Sequence, residues 1–131
     1  ARSCEESLKR LGVDVLDILQ CHDIEFVNLS QIVDEAIPAL RRLQEQGKVR
    51  FVGVTGLPLN IFRIILFRTD LDVLLSYCHF TLFDATLRDL IPICEDCGVG
   101  VLNAAPFSMG LLTNRPPPEW HPAAADVAHS A

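Results

Sequence analysis

Apolar residues along this chain follow two patterns that alternate from end to end. Short, nearly continuous runs rich in aliphatic and β-branched residues occur at Val13–Cys21, Val49–Thr55, Asp72–Cys78 and Val99–Ala104. Such runs predict buried strands. Between them the apolar positions recur at the spacing of a helix. From Ser30 to Gln46 the set Ile32, Val33, Ala36, Ile37, Leu40 and Leu43 marks one face of a helix. Asn28 or Ser30 can cap its start, and Gly47 is a natural stop. Pro38 lies inside the pattern and predicts a kink there or a later helix start. A shorter helix is expected over 58–68, with Pro58 in its first turn. Asp84 is the expected N-cap of a further helix running to Cys97, with Gly98 as its stop.

Strands joined by helical crossovers must run parallel, because parallel neighbours need long connections. Continuous apolar strands also suit a sheet covered on both faces or closed as a barrel. The expected fold class is therefore α/β, with about four parallel strands and crossover helices. Gly12, Gly47 and Gly98 each end a helix before a strand, as an open doubly wound sheet and a barrel both require. The alternation covers residues 1–113. From Asn114 the chain changes character, and Arg115-Pro116-Pro117-Pro118-Glu119-Trp120-His121-Pro122 cannot form a helix interior or a central strand. Residues 114–131 are expected to be a Pro-rich loop and a frayed tail.

Composition narrows the function classes. Half of the 131 residues are hydrophobic and 21% are charged, a globular balance. The net charge is −6, and the 11 Lys and Arg form no stripe, which argues against nucleic-acid binding. No apolar run is long enough to span a bilayer, and no signal-peptide pattern follows Ala1. Five cysteines, odd in number and scattered, fit a reducing compartment, so a cytoplasmic location is expected. Cys94 and Cys97 form a C-x-x-C at a helix end rather than a helix start. No second pair or His-x-x-x-His supplies further ligands, so two packed or idle thiols are expected, with no metal.

Ligands of parallel α/β folds bind beyond the carboxyl ends of the strands. The residues to inspect are thus Cys21-His22-Asp23, Thr55-Gly56-Leu57, Cys78-His79-Phe80 and Ala104-Ala105-Pro106-Phe107. A histidine leaving a buried strand on that side can orient a carbonyl or move a proton, which makes His22 the first candidate. The competing reading is a structural histidine bonded to backbone. His79, flanked by Phe80 and Leu82, points to packing. His121 and His129 lie in the tail and are expected to be solvated.

At these residues the chain resembles the aldo-keto reductase family, whose fold is a (β/α)8 TIM barrel. Ser7 through His22 resembles the family's stretch into its active-site histidine. Gly47 through Thr55 resembles its fifth strand. Gly98 through Thr113 resembles its seventh strand and the following loop. Within the family, His22-Asp23-Ile24-Glu25, Thr55-Gly56-Leu57-Pro58, Leu75 through Phe80 and Pro117 through Pro122 resemble the sugar-oxidising branch. That resemblance implies part of a barrel, about its fourth to seventh strands. It implies an oxidoreductase that takes the anomeric carbon of an aldose such as L-galactose to a lactone, with NAD or NADP as cofactor.

The resemblance also assigns residues. His22 matches the catalytic histidine. Thr55 and Gly56 stand where many members place a Ser-Asn pair against the nicotinamide amide, and Leu74 where many have a Gln. Ala104 replaces an aromatic that often stacks on the ring. Ala105, Pro106, Phe107 and Met109 match the loop along the pyrophosphate. Asp23 replaces a bulky apolar residue and is a candidate acceptor for a sugar hydroxyl. The family's Tyr acid/base, its Lys and its Asp lie on strands earlier than those matched here. Tyr77 is the sole tyrosine, and Lys9 and Lys48 both precede strands, so they are expected at the opposite end, about 17–20 Å away. The chain alone is therefore expected to be inactive, and to self-associate through open strand edges. A non-catalytic binding or regulatory protein on the same fold is the alternative.

Overall fold

The computed structural model describes residues 2–123. In chain order the elements are α1 (Arg2–Leu11), β1 (Leu16–Cys21), α2 (Leu29–Gln31), α3 (Ile37–Glu45), β2 (Val49–Gly56), α4 (Leu59–Leu66), β3 (Val73–Tyr77), α5 (Ile91–Asp96) and β4 (Gly100–Ala104). Short 3-10 turns follow β1 (Ile24–Phe26), precede α5 (Thr86–Asp89) and follow β4 (Ser108–Gly110).

The four strands form one sheet in the order β1-β2-β3-β4, every neighbour parallel. Register partners include Ile18 with Phe51, Val54 with Leu74, and Leu75 with Leu102. Strand order decides between the two architectures left open by the apolar pattern. Right-handed crossovers in strictly sequential order put every helix on one side of the sheet, as in a barrel wall. A doubly wound sheet needs a reversal of order, and none occurs among the described residues. Side-chain burial agrees. Val52, Val54 and Leu74 are fully buried in the helix-covered core. Residues that alternate with them onto the other face stay open: Ile18 is 41% exposed, Phe51 45% and Leu102 39%. That face is the inner wall of the barrel arc.

Three of the turns into strands are built alike. α1, α3 and α5 each run into a glycine in the left-handed region, Gly12, Gly47 and Gly98. The next residue then donates its N–H back to the helix: Val13 to Leu8, Lys48 to Leu43, Val99 to Cys94. This closure satisfies the last carbonyls of the helix and aims the chain at the sheet.

Several boundaries differ from expectation. The first strand starts at Leu16, not Val13, because its ladder begins where Leu16 N–H meets the Lys48 carbonyl just before β2. Pro38 marks a later helix start, one of the two outcomes expected of it: α3 opens at Ile37 with Pro38 in its first turn. Residues Ile32–Ala36 widen into a π turn, and the Ile37 N–H reaches back to the Ile32 carbonyl. The wider turn makes room for a ring that has no N–H to give. Pro58 caps α4 from an extended conformation instead of opening its first turn. Asp84 does not start one long helix. It closes a local turn by accepting from the N–H (2.8 Å) and hydroxyl (2.6 Å) of Thr86, and α5 begins only at Ile91, with Pro92 in its first turn. The frayed tail expected beyond residue 123, His129 included, lies outside the described residues.

Gly53 is required by close approach. A Cβ there would stand 2.1 Å from the Val73 carbonyl oxygen, so β2 and β3 pack at that point only around a glycine.

Candidate active site

The candidate residues lie at or just past the carboxyl ends of strands, except Leu74, which is the second residue of β3 and is buried in the helix-covered core. His22 follows the last residue of β1, and its side chain is 77% exposed. Its Nδ1 is 3.1 Å from Asp23 Oδ2, an ion pair once the ring is protonated. Asp23 holds a left-handed backbone (φ 50°), which turns the chain sharply out of the strand. Thr55 and Gly56 are the last two residues of β2, and Thr55 is buried. Tyr77 and Ala104 end β3 and β4 and are register partners. Beyond Ala104 the loop carries left-handed backbone at Ala105 (φ 51°), Ser108 (φ 48°) and Met109 (φ 54°). Pro106 lies within it, and Phe107 points its ring largely into solvent.

One residue that the sequence reading quoted within a motif but gave no role joins these exits. Glu25, in the 3-10 turn after β1, accepts a hydrogen bond from the Leu57 N–H past β2 (3.0 Å). Its same oxygen is 3.5 Å from the Tyr77 hydroxyl at the end of β3. The only hint in the sequence is a charged residue held between Ile24 and Phe26 where a strand exits. Glu25, Leu57 and Tyr77 are thus brought together, and Asp23, paired with His22, lies close enough for its charge to act on Tyr77. The Ala105–Met109 segment shares the same end of the sheet on the far strand, and no described hydrogen bond joins it to that group.

Tyr77 is pushed above the ordinary phenol range, first by burial and then by the neighbouring carboxylates Glu25 and Asp23. It is therefore a protonated phenol, the opposite of an acidified tyrosine. No lysine offsets this. Lys48 pairs with Glu5 at the amino end of the sheet, and Lys9 shares with it a hollow of about 460 Å³ lined also by Leu8 and Gly12.

Two other histidines, His79 and His121, are structural. His79 Nδ1 lies 3.3 Å from both Asp84 Oδ2 and Thr86 Oγ1, tying down the turn after β3. His121 is not solvated, contrary to expectation. Its Nε2 lies 2.8 Å from the Ser108 carbonyl, and its Nδ1 accepts from the Ala123 N–H at 3.0 Å. The two contacts assign the proton to Nε2 and strap the Pro-rich segment across the loop after β4. Cys94 is buried, and Cys97 bonds weakly through Sγ–H to the Leu66 carbonyl (3.9 Å). All five cysteines are free. Among the described residues, no helix is long and apolar enough to cross a membrane.

A sequential parallel arc with candidate residues at its strand exits is the layout of a parallel barrel, and comparison with known proteins names the family. The sequence matches the aldo/keto reductase family over residues 1–126. The chain belongs to that family. Its sequence is 55% identical over 129 residues to L-galactose dehydrogenase of Arabidopsis thaliana, covering 96% of this chain and 40% of that protein. Its structure resembles an aldo-keto reductase from Bacillus halodurans in its holo form, with TM-score 0.73 and 27% identity, covering 90% of this chain and 38% of that one. It also resembles an aldo/keto reductase from Klebsiella pneumoniae in complex with NADP and acetate, with TM-score 0.68 and 27% identity, over 86% of this chain and 40% of that one. The chain therefore spans about 40% of the length of the curated relative.

Proposed function

We propose that these residues form the histidine-bearing part of a nicotinamide-dependent sugar dehydrogenase, which oxidises the anomeric carbon of an aldose such as L-galactose to a lactone. The observation that carries this reading is the company His22 keeps. It stands exposed at a strand exit of a family barrel, beside an acceptor, Asp23, whose charge in turn reaches the neutral phenol of Tyr77. Identity of 55% to an L-galactose dehydrogenase supports the sugar class.

The loops at this end of the sheet fit a dinucleotide. Ser108 Oγ is buried without a hydrogen-bond partner, inside a loop with three left-handed non-glycine residues. An unmet polar group in strained backbone suits a polar ligand that completes it. Ala105, Pro106, Phe107 and Met109 would hold the pyrophosphate arm, and Thr55, Gly56 and Ala104 would border the nicotinamide. When bound, the nicotinamide supplies the acceptor for the hydride leaving C1 of the sugar.

The chain's own residues do the orienting. With Nδ1 turned to Asp23, His22 presents Nε2 to the anomeric oxygen and fixes C1 for transfer. Asp23 accepts from a ring hydroxyl. The proton lost from the anomeric hydroxyl goes to a tyrosine that these 131 residues do not include. Tyr77 is raised rather than lowered, and Lys9 and Lys48 stand at the other end of the strands. Expressed alone, the 131-residue chain should show no turnover of L-galactose with NAD or NADP.

The test is His22→Ala in a full-length barrel carrying these residues. A positioned acid/base group contributes about 10²–10⁴-fold, so kcat should fall by that factor with the thermal midpoint unchanged. A drop in midpoint with kcat per folded molecule near normal would make His22 a structural residue and reject the reading.

A further inference from the structure

We infer that Glu25 is a positioning residue of this site, whose carboxylate ties together the exits of β1, β2 and β3 and presents the Tyr77 oxygen, near Asp23, to a hydroxyl-rich ligand. The identity of that ligand rests on the sugar-dehydrogenase reading. The tie itself does not.

The geometry is specific. Glu25 sits three residues past His22, in a turn anchored by the fully buried Ile24. Its Oε1 receives the Leu57 N–H at 3.0 Å and faces the Tyr77 hydroxyl at 3.5 Å. Its Oε2 is buried with no partner. A Cβ at position 56 would lie 2.8 Å from that oxygen, so the carboxylate occupies the space a side chain on Gly56 would need. Gly56 has an ordinary backbone, so this glycine is there for room and not for conformation. One carboxylate thus reaches three consecutive strand ends, and a glycine is matched to it.

A carboxylate only accepts hydrogen bonds. Facing Glu25, the Tyr77 hydroxyl turns its proton inward and leaves its oxygen lone pairs for a ligand. Asp23 is a second acceptor next to it. Two acceptors, one of them paired with an exposed imidazole, suit the donor hydroxyls of a polyol. Leaving Oε2 unmet carries the desolvation cost of a buried acceptor. A turn that needed only shape would be served as well by a neutral apolar side chain.

The tie is tested in the 131-residue chain, where Tyr77 is the only tyrosine, so phenolate absorbance reports it alone. Glu25→Gln and Glu25→Ala should both lower the Tyr77 titration midpoint, because each removes a neighbouring negative charge. Glu25→Ala should also speed exchange of the Leu57 amide by about tenfold, the loss of one hydrogen bond. Gly56→Ala should do the same by displacing the carboxylate, and adding it to Glu25→Ala should cost nothing further. If Glu25→Ala fails to fold, the isosteric Glu25→Gln decides through its titration midpoint. An unchanged midpoint and unchanged Leu57 protection in folded variants would overturn the tie. In a full-length barrel, Tyr77→Phe should raise KM for L-galactose about tenfold at nearly constant kcat. An unchanged KM would overturn the presentation of Tyr77, whereas failure to oxidise any aldose would instead reject the function proposed above.

Discussion

The two ends of the sheet are built on different principles. At the amino end, polar groups are saturated. Asp72, just before β3, accepts from the Val52 N–H (2.7 Å), Arg41 (2.7 Å) and Gln44 (3.1 Å), which ties α3 to two strands. Arg41 also reaches the Asp70 carbonyl, and Lys48 pairs with Glu5. The left-handed residues there, Gly12, Gly47 and Gly98, are all glycines, which adopt that backbone without strain. At the carboxyl end the opposite holds. Glu25, Ser76, His79 and Ser108 supply all the buried side-chain polar atoms without partners among the described residues. Asp23, Cys78, Ala105, Ser108 and Met109, every described non-glycine residue with positive φ, follow strand exits as well. Strain and unmet hydrogen bonds collect where a ligand can satisfy them, and stability is secured at the other end.

Three substitutions in a full-length barrel would sharpen or break this contrast. The largest effect belongs to Asp72→Ala, which leaves the Val52 N–H and the Arg41 guanidinium without their partner. It should cost about 3 kcal/mol in denaturant unfolding. Burial alone would raise the Asp72 carboxyl, but the Val52 amide, Arg41 and Gln44 outweigh it and hold the group below the ordinary carboxylate range. The sign follows from that depression. The stabilisation is complete above the unfolded carboxylate range and fades as pH falls through it toward the folded value, so wild type and Asp72→Ala should converge on acidification. A gap that widened in acid would contradict the assignment. Mid-sheet, Gly53→Ala forces a Cβ against the Val73 carbonyl and should cost about 1–3 kcal/mol, as overpacking does. A neutral result would mean that β2 and β3 can part at no cost. The smallest effect is expected at the ligand end. Ser108→Ala removes a buried hydroxyl that has no partner, so stability should stay within about 0.5 kcal/mol or rise. A large loss at Ser108 would show that the carboxyl end also carries the fold.

Much of this was legible before any coordinates. Gly12, Gly47 and Gly98 mark helix ends because a left-handed stop is a local requirement. His22, Thr55 and Ala104 were located at strand exits because strand and helix periods are written in the order of residues. Misjudged features share a cause. Pro58 caps α4 from outside its first turn, Asp84 bonds Thr86 instead of capping a long helix, and His121 folds back on Ser108. In each, the local signal was real, but its outcome depended on neighbours.

By itself the sequence determined the alternation of strands and helices, their parallel sense, the end at which chemistry belongs and, through its motifs, the family. These follow from periodicity, turn chemistry and connection length, all short-range properties of the chain. Only the tertiary structure decided that the strands run in sequential order, so that the helices share one side and the sheet curves as a barrel wall. It alone matched Glu25 to Gly56, Leu57 and Tyr77, partners 31 to 52 residues away, and set Asp72 against Val52 and Arg41. Such pairings depend on distances between elements, and nothing in a residue's own neighbourhood along the chain records them.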